Sequence, residues 1–485
     1  MTPSAVGLVT QLTNKLGIAS TTTPTATATK TTTTKFSSSK QLSSEQIIAL
    51  EHETSAHNYA PLPVVLDRGL GALVWDPEGN EYIDCLSAYS AVNQGHCHPR
   101  IVQALTEQAS RLTLSSRAFY NSRFSPFAEK ITTLLGYDMV LPMNTGAEAV
   151  ETALKLARKW AYLKKGVATD KARILTVDGN FHGRTIGIVS MSTDPSSRVG
   201  FGPFLERVGP MLHDISTAEN PVPAHGGPIR YGVIEDLEHA LQEVGEETAA
   251  FLVEPIQGEA GIVVPPHGYL AQVQALCKKH NVLFICDEIQ TGLGRTGAML
   301  ACSHEEGVRP DIITLGKALS GGVYPVSAVL ADKEIMLTIA PGEHGSTYGG
   351  NPLGAAVASE ALDVIIDEKL CERADQLGKR FRAELQAVVD AKPDGLLTEV
   401  RGKGLLNAIV IDQSKSVKHR SAWQLCLLLK ARGLLAKPTH ENIIRLAPPL
   451  VITDAELDRS IEIIKKALVE IDTIEEVPGD DGSHH

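Results

Sequence analysis

Four short apolar runs, each broken off by polar and glycine residues, set the strongest limit on how this chain can fold. They are Arg173–Val177, Ala250–Val253, Val282–Cys286 and Asp311–Leu315, rich in β-branched residues and lacking the alternation of a half-exposed strand. Continuous apolarity of this length belongs to strands buried on both faces, which is the situation of a parallel sheet covered by helices. Segments with helical spacing separate them. Thr145–Leu163 is one, with Thr145 or Asn144 as its cap and Gly146 just inside. The alternation predicts an α/β fold with a mainly parallel sheet. After about Ile365 the pattern changes: Cys371–Val388, Ala422–Arg432 and Asp454–Ile471 read as helices and Leu405–Ile411 as a strand. A smaller C-terminal α+β domain is therefore expected. The boundaries expected are a tail over 1–44, an N-terminal segment over 45–85, a large domain over 86–365, a small domain over 366–474 and a frayed end over 475–485.

Residues 1–44 carry four lysines and no acid, and Ser and Thr dominate from Ser20. Such a segment buries too little apolar surface to fold, so it is expected to be disordered. It has half the character of a mitochondrial presequence but no arginine. The cytoplasm is the expected compartment, with the mitochondrial matrix as the alternative. The apolar runs end after about half a dozen residues, far short of the ~20 that cross a bilayer, so no membrane span is expected. A net charge of −12 gives no general attraction to nucleic acid or to an anionic membrane. Seven cysteines, an odd number without C-x-x-C spacing, argue against a disulfide framework or a zinc ribbon and favour a reducing compartment.

Ligands of open α/β sheets bind beyond the carboxyl ends of the strands. There the chain places DGNFHGRT (178–185), EPIQGEAG (254–261), DEIQTGLGRTG (287–297) and GKALSGG (316–322). Lys317 follows a buried run and precedes small residues, where a desolvated amine has a lowered pKa and condenses with carbonyl groups. Any single lysine is more often a surface cation; Asp287 at another strand end changes the weighing. A lysine nucleophile together with a carboxylate for a pyridinium nitrogen is the pairing that pyridoxal phosphate requires. Asp287 alone reads equally well as a helix cap. Asn144–Ala147 offers backbone N–H donors for a phosphate at a helix start, and HGSTYGGNP (344–352) offers Ser346 and Thr347 hydroxyls, though an ordinary capped helix and a plain glycine-rich loop explain the same residues. Gly292–Gly297 matches G-x-G-x-x-G after a strand, but the acids just before it and the missing acid at the next strand end argue against a nicotinamide enzyme. His96-Cys97-His98 lacks further ligands for zinc.

Phe181-His182-Gly183-Arg184, Glu254–Glu259, Asp287–Gly292 and Leu315–Gly322 together resemble the class III pyridoxal-phosphate aminotransferases of fold type I. Tyr89–His96, Arg401–Val410, Leu435–Thr439 and Ile444–Leu450 resemble the ornithine-specific members of that class. The resemblance runs from about Tyr59 to Ile471. It implies a large domain with a mainly parallel, seven-stranded type of sheet, a smaller C-terminal domain, and a homodimer with its active site at the interface. It implies that Lys317 holds the cofactor covalently and then moves the proton, that Asp287 pairs with the ring nitrogen, that Gln290 approaches the ring hydroxyl and that Phe181 stacks on the ring. Gly146 and Ala147 bind the phosphate in this reading, with Thr347 reaching it from the other subunit. The implied substrates are L-ornithine and 2-oxoglutarate. Arg184 would grip a distal carboxylate, Tyr59 and Tyr89 would recognise the ornithine end bearing the α-amine, and Glu259 with Arg445 would form a switching ion pair. The alternative for that pair is a permanent salt bridge. His182 stands where the animal enzymes commonly have Trp, a change expected to concern cofactor packing.

Overall fold

Strands pair here in an order that gathers the polar strand ends at one edge. The computed structural model describes residues 42–210, 227–480 and 482. In chain order the strands are β1 (Arg68–Leu70), β2 (Leu73–Trp75), β3 (Glu81–Asp84), β4 (Met139–Met143), β5 (Arg173–Leu175), β6 (Val208–Gly209), β7 (Thr248–Val253), β8 (Leu283–Asp287), β9 (Ile312–Leu315) and β10 (Ser327–Ala331). The C-terminal region adds β11 (Leu397–Lys403), β12 (Leu406–Ile411), β13 (Leu434–Leu435), β14 (Lys437–Thr439) and β15 (Ile443–Leu446).

The central sheet has seven strands in the order β4-β10-β9-β8-β7-β5-β6. Only β10 runs against its neighbours. Every residue of β7, β8, β9 and β10 is buried, which is why these strands read as unbroken apolar runs. The four expected strands are all present, within two residues of the sequence limits. The helix Gly146–Trp160 packs on this sheet, capped by Thr145, whose Oγ1 accepts from Glu148 N while Glu148 accepts from Thr145 N. No helix among the described residues is long and apolar enough to cross a membrane.

The smaller sheet has the antiparallel order β11-β12-β15-β14, flanked by the helices Leu370–Ala391, Ala422–Ala431 and Asp454–Glu470. A third sheet crosses the expected boundaries: β13 pairs in parallel with β3, so the N-terminal segment and the C-terminal region share hydrogen bonds.

The two ends stand differently against expectation. The expected tail lies outside the described residues except at its end, where Ser43 caps the helix Ser44–Thr54 in a reciprocal box with Gln46. Ser44 N–H also donates to Glu78 Oε1 at 2.7 Å, fastening that helix to the turn after β2. The frayed end expected from 475 is corrected through Asp480. Arg420 Nη2 donates to Ile474 O and Glu475 O, both at 2.9 Å, Val477 is buried, and Gln424 Nε2 donates to Asp480 Oδ2 at 2.7 Å. Paired carbonyls and one buried apolar side chain hold a polar segment that composition alone marks as loose.

Candidate active site

Because β9, β8, β7 and β5 lie side by side and run the same way, the residues after them meet at one sheet edge. Lys317 follows β9, Asp287 ends β8, Glu254 follows β7, and the loop after β5 brings Phe181 and His182. β4 runs in the same direction as β9 and delivers the helix start at Gly146 to that edge. Lys317 opens a 3₁₀ turn. Burial pushes its amine pKa below the ordinary lysine value, while Asp287, Glu254 and Glu259 oppose the shift and Arg445 adds to it.

The Asp287 carboxylate is buried and receives only donors. His182 Nδ1 lies 2.6 Å from Oδ2, while Thr314 Oγ1 and Ile289 N–H donate to Oδ1, each at 3.1 Å. No helix follows Asp287, so the capping alternative is set aside. Burial resists protonation of His182, but its hydrogen bond to Asp287 and that charge outweigh the burial and raise its pKa. The His182 Nε2 atom is buried without a partner among the described residues. The expectation that His182 concerns only packing is therefore corrected: the ring is a polar partner of Asp287. Glu254 accepts from Phe181 N–H at 3.0 Å and from Gly258 N–H at 3.2 Å, and burial pushes its carboxyl up to about 7.

These residues suit pyridoxal phosphate on their own chemistry. Thr145 satisfies Glu148 N, which leaves the N–H groups of Gly146 and Ala147 free at the positive end of a 15-residue helix, as an anion requires. A Cβ on Gly146 would stand 3.1 Å from Ile289 Cγ2, so glycine keeps that approach open. A buried carboxylate surrounded by donors matches a protonated ring nitrogen.

Of the expected substrate residues, Glu259 and Arg445 meet at the C-terminal sheet. Arg445 on β15 is buried, and its Nη1 donates to Glu259 Oε2 at 2.7 Å. The side chains are 5% and 37% exposed, so the pair is open on the glutamate side. Thr439 Oγ1 donates to Glu259 O at 3.0 Å, fixing the backbone of the acid. The Tyr89 ring centroid lies 4.9 Å from the Arg445 guanidinium carbon. Burial raises the Tyr89 pKa, with Arg445 opposing and Glu259 and Tyr59 contributing. Gln290 Nε2 donates to Tyr89 O at 3.4 Å, linking the cofactor side to the tyrosine. Tyr59, at 72% exposure, and Arg184 are exposed; Arg184 stands 5.4 Å from the Phe181 ring. Thr347 is exposed on a loop whose neighbour Ser346 accepts from Asn144 Nδ2 at 2.9 Å. That bond brings Thr347's loop beside the helix start of its own chain.

Two other motifs serve the interior and the surface of the fold. Gly292–Gly297 forms turns rather than opening a helix, and its Arg295 is wholly buried, donating to Asn93 Oδ1, Leu405 O and Pro448 O. His96 and His98 pair with Asp84 and Glu368, and no metal-ligating cluster occurs among the described residues.

Residues 54–468 match the family model for class-III aminotransferases. The chain is 60% identical to the ornithine aminotransferase car2 of Schizosaccharomyces pombe, across 90% of this chain and 96% of that one. Among solved structures it is similar to the ornithine aminotransferase from Toxoplasma gondii, with a TM-score of 0.82 and 44% identity over 90% of this chain and 97% of that one. It is also similar to the acetylornithine aminotransferase from Elizabethkingia anophelis, with a TM-score of 0.76 and 54% identity over 88% and 100%.

Proposed function

The chain belongs to the class-III aminotransferases, which use pyridoxal phosphate, and from that premise we propose that it moves the δ-amino group of L-ornithine to 2-oxoglutarate. The products are glutamate 5-semialdehyde, which cyclises, and glutamate. When bound, pyridoxal phosphate supplies the carbonyl that takes up the amine and the ring that accepts electrons. The protein supplies the rest. Gly146 and Ala147 N–H groups would hold the phosphate, Phe181 would cover the ring, Gln290 would approach its hydroxyl, and Asp287, which His182 and Thr314 orient, would keep its nitrogen protonated. The Lys317 amine, its pKa lowered by burial, would take the proton from the substrate carbon and hand it to the cofactor.

The observation that carries the ornithine reading is the Arg445–Glu259 pair beneath Tyr89. With Glu259 in place, the guanidinium is neutralised and a cationic diamino acid can present its δ-amine, its far end meeting Tyr59, Tyr89 and Arg184. When a 2-oxo acid enters, Glu259 swings away through its exposed side and Arg445 receives the α-carboxylate. A homodimer completes the site in this reading, with Thr347 of each subunit reaching the other's phosphate. Seven unpaired cysteines suit a reducing compartment, and we read the protein as cytoplasmic.

The test is a single half-reaction: purified protein mixed with ornithine, the cofactor spectrum followed, and the cyclic imine captured. Loss of the cofactor's visible absorbance with stoichiometric cyclic product supports the δ-amine reading. Reaction with N-acetylornithine or 4-aminobutyrate in preference to ornithine would contradict it.

A further inference from the structure

Ser87, Ala88, Tyr89 and Ser90 have φ values of 52°, 45°, 59° and 72°. Four consecutive non-glycine residues thus form one left-handed turn, closed by Ala91 N–H donating to Ser87 O at 2.9 Å. In that conformation each Cβ crowds a carbonyl oxygen, and a run of four persists only where the surroundings over-determine it. The surroundings are specific. Asp84, at the end of β3, accepts from Leu86 N–H at 2.8 Å and Ser87 N–H at 2.9 Å through Oδ1. Ser87 is fully buried, and its Oγ donates to Ala447 O at 2.7 Å, two residues beyond Arg445. Gln290 holds Tyr89 O from the cofactor side.

The geometry of the turn has a consequence at the pocket. In an extended strand Ser87 and Tyr89 would share a face, and burying one would bury the other. The left-handed turn sends Ser87 into the interior while the half-buried Tyr89 ring meets the guanidinium of Arg445. The same hydrogen bond that anchors Ser87 lands on the segment carrying Arg445, where Ala447 N–H also donates to Cys85 O at 2.7 Å; the backbone bond docks the segment, and the Ser87 hydroxyl ties the turn itself to it.

We propose that the left-handed turn Ser87–Ser90 is the selectivity element of the pocket, with Ser87 a positioning residue that holds Tyr89 against Arg445 and so favours a diamino acid entering by its distal amine. This rests on the ornithine reading above. Ser87→Ala removes the side-chain link to Ala447 with little change of volume and leaves the backbone bond from Ala447 to Cys85 in place, and Tyr89→Ala removes the ring. Single-turnover rates with ornithine and with glutamate are measured in wild type, both single variants and the double variant.

In Ser87→Ala the ornithine-to-glutamate ratio should fall about tenfold, as when one buried hydrogen bond that orients a contact is lost. The double variant should be no worse than Tyr89→Ala, because Ser87 acts through the ring. Adding Ala88→Gly, which eases the left-handed backbone, should restore part of the ratio in Ser87→Ala. Hydrogen exchange on the cofactor-free protein should show faster exchange confined to residues 84–92 in Ser87→Ala. Equal slowing of both substrates, or additive loss in the double variant, overturns the proposal while leaving the ornithine reading intact. A wild-type protein that does not react with ornithine overturns the reading and the proposal together.

Discussion

At the cofactor end of the pocket the acids are enclosed and engaged: Asp287 receives three donors, and Glu254 receives two backbone N–H groups. At the substrate end, Tyr59 and Arg184 stand open, and the Glu259–Arg445 pair is buried on one side only. The difference follows from what each end must do. A bound cofactor presents the same nitrogen and phosphate in every turnover, so fixed partners on strand ends serve it and reorganisation would only cost rate. Two substrates of different charge take turns at the other end. A single fixed arrangement there would leave a buried charge unpaired with one of them, whereas the parting pair we propose would serve both.

The comparison is broken most severely at Lys317. Lys317→Ala should lower turnover by about 10⁴-fold or more, because covalent attachment and proton transfer are lost together. Borohydride reduction and peptide mapping of the wild type should label Lys317; label on another lysine would move the reacting centre. Asp287→Asn should cost about 10²–10³-fold in both half-reactions, the range for removing a group that stabilises developing charge. Equal damage with both substrates is what a fixed cofactor end demands, and rapid-mixing kinetics with ornithine and glutamate check it. Arg184→Ala should weaken ornithine and glutamate alike by about 2 kcal/mol, roughly thirtyfold in kcat/KM, as for a lost charged hydrogen bond. A loss confined to one substrate would place the shared carboxylate elsewhere.

The smallest effect is on stability. Glu254, held up to about 7 against an ordinary 4.5, keeps a proton in the folded chain where the unfolded chain has released it. Stability of the cofactor-free protein should therefore fall as pH rises from about 4.5 to about 7. His182, its pKa also raised, adds a fall of the same sign as pH climbs through its folded value. Glu254→Gln should remove its own part of the slope and lessen that of His182, whose pKa the Glu254 charge helps to raise. Denaturant titrations across pH measure this, and identical slopes in the two proteins would show Glu254 to be ionised in the fold.

Much of the cofactor end was legible in the sequence because strands buried on both faces announce their ends. Lys317 and Asp287 could be placed at strand ends as polar residues following apolar runs, and the motif resemblance supplied the roles we propose for them. His182 was quoted and misread: its neighbour Asp287 lies 105 positions away, and nothing local says that the loop after β5 closes over the end of β8. Glu254 stood in the EPIQGE stretch, but its role depends on burial that a motif does not show. The left-handed turn had no signal, since glycine normally marks such backbone and Ser87–Ser90 contains none. The pairing of β13 with β3 joins two-residue and four-residue strands hundreds of positions apart, below what periodicity resolves.

The contrast between a fixed cofactor end and a switching substrate end is tested most directly by timing both half-reactions in Glu259→Ala beside its melting temperature. Glu259 lies partly exposed, and its removal leaves Arg445 free. The ornithine half-reaction should slow, because the diamino acid then meets an unneutralised cation, while the glutamate half-reaction should hold its rate or quicken even if the unpaired Arg445 lowers the melting temperature. Equal slowing of both half-reactions with a large fall in melting temperature would mean that Glu259 and Arg445 form a permanent bridge and that the substrate end is as fixed as the cofactor end.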